Sequence, residues 1–191
     1  FKGLSSMTEK IKRNSNRLLS LVNQMLDLSK LEAKAMSVNY VRGDVIRYIR
    51  YVTESFELLT GNKSLSFRFS CPLSSFNMDY DPDKLTPIIS NLMGNAIKFT
   101  PEKGQIELSV VPDKENKKLI ITISDTGIGM DSNQLNHVFE RFYQNDNGGE
   151  RKSRGSGLGL SITHELVQLL NGEIEIESEV GKGTKIKVVL P

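Results

Sequence analysis

A long stretch without proline or glycine most constrains how this chain can fold. Between Ser5 and Ala35, residues recur along one seam at alternating steps of four and three. They are Met7, Ile11, Asn14, Leu18, Leu21, Met25 and Leu28. This is the a/d spacing of a coiled coil or helical bundle, so it predicts one long helix that pairs with partner helices. The helix could instead pack on the domain that follows it.

The rest of the chain alternates between helical and strand patterns. Helices are predicted at 44–60, 83–99 and 158–170, and strands at 64–71, 76–80, 105–111, 118–124, 173–178 and 184–190. The fold class is therefore α+β: a two-layer α/β sandwich, preceded by one long bundle-forming helix. Its sheet should be mixed but mostly antiparallel, with helices on one face. The domain boundary is expected at residue 36, giving regions 1–36 and 37–191.

Composition excludes several functional classes. The 25 Lys and Arg against 23 Asp and Glu leave a net charge of +2, without the basic excess that nucleic-acid binding requires. Cys71 is the one cysteine, so we expect no internal disulfide, no Cys-rich zinc site and a reducing compartment. No apolar run reaches the ~18 residues of a membrane span. The chain begins at Phe1 without a signal peptide, so we expect part of a longer cytosolic protein.

Three glycine-bearing segments stand at the ends of predicted elements. Asp125–Gly129 follows a strand, Gly155–Leu160 precedes a helix, and Gly181–Thr184 joins two strands. The middle segment places backbone N–H groups at a helix N-terminus, where phosphate is favoured, although such segments can also be plain turns. None has the spacing of a dinucleotide fold or of a P-loop.

Asp125 carries a more specific signal than the glycines. A carboxylate at a strand end, followed by Gly-x-Gly, can accept a hydrogen bond from an exocyclic amine. Adenine offers that donor, whereas guanine presents an acceptor that the carboxylate would repel, and burial sharpens this discrimination. The alternative is an Asp that caps a turn.

Two amides mark the helix predicted at 83–99. Asn91 and Asn95 lie one turn apart on one face, and Lys98 follows closely. An amide oxygen is a suitable ligand for Mg²⁺ together with water and phosphate, and Lys98 could neutralise phosphate charge. Both amides could instead be satisfied within the core.

In this order, the segments resemble the GHKL-type ATP-binding domain of sensor histidine kinases. Asn91–Thr100 resembles the N box, Asp125–Met130 the G1 box, Phe139–Tyr143 the F box, Gly155–Leu160 the G2 box and Gly181–Thr184 the last glycine motif. The opening helix, with segments 13–19 and 27–32, is similar to the second helix of the dimerisation and phosphotransfer hairpin. The resemblance implies that 1–36 is this incomplete hairpin and 37–191 the ATP-binding domain.

The resemblance also implies a nucleotide site that takes ATP and Mg²⁺. Asn95 would hold the metal, Asn91 and Lys98 would contact phosphates, and Asp125 would bind the adenine amine. The remaining expected nucleotide contacts are Phe99, Gly127, Ile128, Gly129, Phe142, Arg154, Gly155, Ser156, Gly157, Leu158, Gly159, Leu160 and Thr184. Residues 136–156 would form a mobile lid over the nucleotide, anchored by Phe139 and Phe142, although Phe139 could equally be ordinary core.

Two departures from the family pattern matter. Gln144 stands where many relatives carry a basic residue, a role that Arg141, Arg151, Lys152 or Arg154 could take over. The charged run at 150–154 could also be only a solvated loop. Asn91 stands where ATP-hydrolysing members carry Glu, and an amide cannot act as a general base. The site should therefore hold ATP without hydrolysing it rapidly.

Neither histidine fits the phosphorylation motif. His164 is followed by Glu165 and Leu166, as the acceptor motif begins, but Val167 and Gln168 then depart from it. His137 precedes the F box, and both histidines are expected to be structural. The chain should therefore bind Mg²⁺-ATP but not phosphorylate itself, with the acceptor histidine lying outside it.

The expected partners follow from the resemblance. They are the phosphotransfer helix, a second protomer of a homodimer and the receiver domain of a response regulator. The chain is expected to be the cytosolic portion of a membrane-anchored sensor. Three alternatives remain open: a GHKL ATPase, a serine kinase of the anti-sigma type and a non-catalytic nucleotide-binding module.

Overall fold

The computed structural model describes residues 2–115, 117–144 and 156–191. Within the first helix, it describes all side chains except those of residues 2–6, 10, 13, 16 and 17. The chain divides into two compact units, Phe1–Met36 and Ser37–Pro191. None of the helices in these ranges is both long and apolar enough to cross a bilayer.

The first unit contains one helix, α1, from Lys2 to Glu32. It begins earlier than the sequence predicts and includes Gly3, whose cost in a helix is only about 1 kcal/mol. Met7, Ile11 and Leu18 on the seam are each more than half exposed. This helix therefore presents apolar surface along its seam, and pairing with partner helices stays a prediction.

The second unit is an α/β sandwich with a mixed sheet. Its helices are α2 (Val45–Asn62), α3 (Pro82–Phe99), α4 (Ser132–His137) and α5 (Gly159–Leu169). Its strands are β1 (Val41–Asp44), β2 (Ser66–Ser70), β3 (Asn77–Tyr80), β4 (Gln105–Asp113), β5 (Lys118–Asp125), β6 (Glu173–Glu179) and β7 (Gly183–Leu190). The main sheet has the order β2-β4-β5-β7-β6, and β1 pairs separately with β3. Only the β2–β4 pair is parallel in the main sheet, which confirms the predicted fold class.

Alternation along the central strands explains why the helices occupy one face. Ile106, Leu108 and Val110 of β4 are buried, as are Ile121 and Ile123 of β5, while the residues between them are more exposed. Strand side chains point alternately to opposite faces, so one face of the sheet forms the core. Helices α3 and α5 supply the other half of that core with buried Ile, Leu, Met and Val side chains.

The start of α3 is fixed by a buried aspartate. The Asp81 carboxylate accepts hydrogen bonds from the backbone N–H groups of Asp83 at 2.9 Å and Lys84 at 3.2 Å. Its other oxygen accepts the Asn39 N–H at 2.7 Å and lies 3.7 Å from the Lys84 ammonium. Pro82 suits the first turn because its missing N–H would lack a helical partner. This cap orients the helix that carries both Asn91 and Asn95.

Candidate functional site

Asp125 ends β5 with a carboxylate that keeps some of its hydrogen-bonding capacity. Its Oδ1 accepts the Gly127 N–H at 2.8 Å, and the Thr184 N–H on the neighbouring strand also bonds the carboxylate. Burial raises the pKa of this carboxyl above its ordinary value, and the two backbone hydrogen bonds only partly oppose that effect. A further donor would stabilise the charged form, so the site favours a ligand with an N–H group.

The first and third glycine segments pack backbone against backbone. Gly129 has φ +66°, and a Cβ there would lie 1.9 Å from the Glu179 carbonyl oxygen. Gly183 has φ +111°, and a Cβ there would lie 1.9 Å from the Asp125 carbonyl oxygen. Only glycine allows this approach. The structure therefore joins two segments that are distant in sequence into one loop pair beside Asp125.

Ser178 links this loop pair in a way that sequence reasoning missed. Its hydroxyl accepts the Met130 N–H at 2.9 Å and donates to the Gly183 carbonyl at 2.8 Å. The Thr184 hydroxyl oxygen lies 2.9 Å from the Ser178 hydroxyl oxygen. Thr184 must be the donor of this hydrogen bond, because Ser178 already donates its proton to the Gly183 carbonyl. Thr184 thus contacts the site through both its backbone and a fixed hydroxyl.

The end of α3 abuts the loop after Asp125. The Phe99 carbonyl accepts the Ile128 N–H at 3.2 Å, and a Cβ on Gly127 would lie 2.8 Å from that carbonyl oxygen. Phe99 and Ile128 are exposed at 42% and 55%. One backbone contact therefore brings two exposed apolar side chains close to the loop that follows Asp125, and their contact with nucleotide stays a prediction.

Asn91 joins α3 to α5. Its Nδ2 donates to the Gly159 carbonyl at 3.2 Å and to the Thr163 hydroxyl oxygen at 3.4 Å. Thr163 in turn donates to the Gly159 carbonyl at 2.9 Å, which fixes the orientation of the amide. The nitrogen is occupied, so the oxygen is the Asn91 atom left to face a ligand. Thr163 is a second residue that sequence reasoning missed.

Asn95 lies one turn further along α3 and is half-buried. In the described ranges, its amide has no hydrogen-bond partner, in contrast to the tethered Asn91. The same ranges contain no group of three His, Cys, Asp or Glu side chains that could hold a metal. Lys98 follows on α3, with its ammonium 4.5 Å from the centre of the Phe99 ring.

The segment before α5 contacts the F-box aromatics. The Phe142 N–H donates to the Gly157 carbonyl at 2.9 Å, and Gly157, at φ +72°, has no room for a Cβ beside the Phe142 backbone. The Phe142 side chain is 59% exposed. Phe139 packs against His164 with ring centres 5.1 Å apart, and the other histidine, His137, lies 2.7 Å from Glu140. Both histidines therefore have local partners.

The N-terminus of α5 offers backbone donors. Leu158, at its N-cap, makes no side-chain hydrogen bond to the first turn. The Ser156 hydroxyl oxygen instead accepts the Leu158 N–H at 3.2 Å. Helix N-termini of this kind attract anions. The predicted contacts Arg154 and Gly155, and the basic residues Arg151 and Lys152, lie outside the described residues.

Comparison with known proteins places these features in a family context. Residues 80–191 match the family described as histidine kinase-, DNA gyrase B-, and HSP90-like ATPase. The chain is 35% identical over 177 residues to the sensor histidine kinase WalK of Bacillus subtilis (strain 168), covering 93% of this chain and 29% of that protein. It is 37% identical over 183 residues to the sensor histidine kinase TmoS of Ectopseudomonas mendocina, covering 96% and 19%.

A solved structure agrees with these relatives. The crystal structure of full-length ShkA in complex with AMPPNP superposes with a TM-score of 0.84 at 28% identity, covering 98% of this chain and 38% of that one. The chain thus spans less than a third of the length of WalK and TmoS.

Proposed function

The chain belongs to the family of histidine kinase-, DNA gyrase B- and HSP90-like ATPases, and from that premise we propose a specific role. It is the ATP-binding catalytic domain of a two-component sensor histidine kinase. The observation that carries the proposal is the Asp125 carboxylate, which burial leaves in need of a donor at the end of β5. The similarity to sensor kinases and to the AMPPNP complex of ShkA supports it.

Adenine recognition falls to Asp125 and its neighbours. The carboxylate accepts a hydrogen bond from the exocyclic amine of adenine. Guanine carries an oxygen at the same position, so two hydrogen-bond acceptors would face each other. Phe99 and Ile128 provide apolar contact for the base, while Gly127 and Gly129 allow the close contacts with the Phe99 and Glu179 carbonyls that shape the loop beside it. The Thr184 hydroxyl donates to Ser178, so its oxygen can still accept a hydrogen bond from the base.

The amides of α3 fit a hard cation. Asn95 has a free amide in the described part of the chain, and Asn91 has its nitrogen tied to α5, so each can present an oxygen. Oxygen ligands of this type suit Mg²⁺, which neutralises phosphate charge when bound. We propose that the Asn91 oxygen faces the metal or its water shell, whereas the family resemblance implies a phosphate contact for this residue.

Phosphate binding involves the N-terminus of α5. Its backbone N–H groups, in the segment from Gly155 to Leu160, supply donors, and Lys98 supplies positive charge. Asn91 cannot abstract a proton from water, so this site retains ATP rather than hydrolysing it. The domain contributes positioning and charge stabilisation to a phosphoryl transfer whose acceptor histidine lies outside this chain.

The wider assignments extend the same proposal. Region 1–36 is the second helix of the dimerisation and phosphotransfer hairpin, and 37–191 is the ATP-binding domain. The partners are the complete hairpin of a homodimer and the receiver domain of a response regulator. The chain works on the cytosolic side of a membrane-anchored parent. A steady ATPase is disfavoured by Asn91.

A titration with a fluorescent ATP analogue tests the site. The wild-type chain should bind it in a Mg²⁺-dependent manner, and ATP should displace it better than GTP. Asp125→Asn should weaken binding by about 10- to 100-fold, because it removes a hydrogen bond to a charged group. It should also reduce the preference for ATP over GTP, since the new amide can donate to the guanine oxygen.

Asp79→Asn is the matched control. Asp79 lies on β3 in an exposed pair with Arg42, so the same change there should leave nucleotide affinity unaltered. The proposal fails if the wild-type chain shows no ATP-competed binding, or if both variants bind as the wild type does.

A further inference from the structure

Three backbone carbonyl groups at the end of α3 converge on one ammonium group, that of Lys63. The Lys63 Nζ donates to the carbonyl oxygens of Ile97 at 2.7 Å, Lys98 at 3.1 Å and Thr100 at 2.6 Å. The last carbonyls of a helix lack intrahelical partners, and the negative end of the helix dipole favours a cation there. Lys63 therefore caps a helix to which it does not belong.

The carbonyls that Lys63 binds flank the one that supports the site. Phe99 lies between Lys98 and Thr100, and its carbonyl accepts the Ile128 N–H at 3.2 Å. A Cβ on Gly127 would lie only 2.8 Å from the same carbonyl oxygen. A shift of this turn would therefore be felt directly by the loop that follows Asp125.

We infer that Lys63 is a positioning residue for the nucleotide site. Its ammonium group holds the Phe99–Thr100 turn in place, and that turn sets the position of Gly127 and Ile128 next to the Asp125 carboxylate. The effect on nucleotide rests on the proposed function. The effect on the loop itself does not, so the two can be tested separately.

Lys63→Met removes the three hydrogen bonds while keeping most of the apolar side chain. Hydrogen exchange of the Ile128 amide should accelerate in the nucleotide-free chain, because its acceptor is the Phe99 carbonyl. Affinity for a fluorescent ATP analogue with Mg²⁺ should fall by roughly 2- to 30-fold, the range of coupling through packed networks. Lys63→Arg keeps a cation and donors and should lie between the wild type and the Met variant.

Lys103→Met is the matched control. Lys103 is an exposed lysine in the turn that follows α3, so the same substitution removes the same charge without touching the three carbonyls. It should leave both Ile128 exchange and nucleotide affinity at wild-type values. The Ile121 amide, in the buried centre of β5, serves as an internal reference for global stability.

The outcomes separate the two proposals. Absence of nucleotide binding by the wild-type chain would refute the proposed function but leave the exchange test intact. Wild-type exchange at Ile128 in Lys63→Met, or equal acceleration at Ile128 and Ile121, would refute the positioning role. If the Met variant does not fold, Lys63→Arg decides. Its planar fork cannot reproduce the three bonds, so unchanged Ile128 exchange in that variant would overturn the inference.

Discussion

The aspartates at the start of α3 and at the end of β5 differ in how fully their hydrogen bonds are satisfied. Asp81 is buried, accepts three backbone N–H groups and pairs with the Lys84 ammonium. Asp125 is half-buried, accepts two backbone N–H groups and has no cationic partner within the described residues. Both carboxylates lie at the end of a secondary-structure element, α3 or β5, that packs into the same core.

The difference distinguishes a structural acid, Asp81, from Asp125, the acid that we propose binds nucleotide. Both oxygens of the buried Asp81 carboxylate accept backbone N–H groups and an ammonium lies beside one of them, so this acid serves the fold. A carboxylate that loses its hydration without gaining enough hydrogen bonds raises the free energy of the ligand-free protein. A hydrogen-bond donor on a ligand can offset that cost. In the proposed nucleotide site, a donor on the ligand would recover this cost at Asp125.

The largest effect on stability should follow from removing Asp81. Asp81→Ala leaves the Lys84 ammonium, only 10% exposed in its side chain, without its partner and removes the α3 cap. We expect the free energy of unfolding to fall by about 3–5 kcal/mol, as for other broken buried pairs. Urea unfolding at neutral pH measures this.

A second helix cap provides the control for Asp81. Asp131 caps α4 through the Gln134 N–H at 2.8 Å but is exposed. Asp131→Ala should cost only about 1 kcal/mol, the usual value of an N-cap. Equal losses at the two positions would show that the buried pair with Lys84 adds nothing.

A substitution at Asp125 should have a smaller effect on stability, and of opposite sign. Asp125→Asn keeps an oxygen for the Gly127 N–H but removes the poorly solvated charge. The raised pKa means that the charged form destabilises the folded state at neutral pH. We expect the free energy of unfolding of the nucleotide-free chain to rise by about 0.5 kcal/mol, the low end of gains at functional sites. A loss as large as that at Asp81 would erase the distinction.

The smallest effect should be a pH dependence carried by Asp125 alone. An ordinary Asp has a pKa of about 4. The pKa of Asp125 is raised in the folded state, so its carboxylate takes up a proton at a higher pH than an ordinary Asp does. Nucleotide affinity should therefore weaken as the pH falls through that raised pKa. Over the same interval the nucleotide-free chain regains stability from this group, since its penalty disappears on protonation. Parallel titrations of Asp125→Asn should lack both trends; their persistence would assign them to another group.

The sequence predicted those elements that have strong local signals. Asp44 and Asp81-Pro82 mark the starts of α2 and α3, and alternation marks the core strands. Strand β1 was missed because its four residues gain their order from pairing with β3, which is a tertiary event. Helix α4 is too short for a periodic signal, yet the capping box of Asp131 and Gln134 could have revealed it.

For the site, the sequence predicts candidate groups but not the residues that hold them in place. Asp125 and the glycines were recognisable because their chemistry is local. Thr163 bonds Asn91 from 72 residues away, and Lys63 bonds the Thr100 carbonyl across 37 residues. No spacing rule links such partners, because the fold alone brings them together. The roles of Asn95 and Lys98 at nucleotide stay predictions.

The close approach of Gly183 to the Asp125 backbone has a consequence for biosynthesis. A nascent chain that ends before β7 would already contain α3 and β5 but would lack the strand that donates the Thr184 N–H. Proteins emerge from the ribosome N-terminus first, so the surroundings of the Asp125 carboxylate become complete only after translation has passed β7. A nucleotide that binds as proposed would then stabilise chains that contain β7 and leave shorter chains to proteolysis.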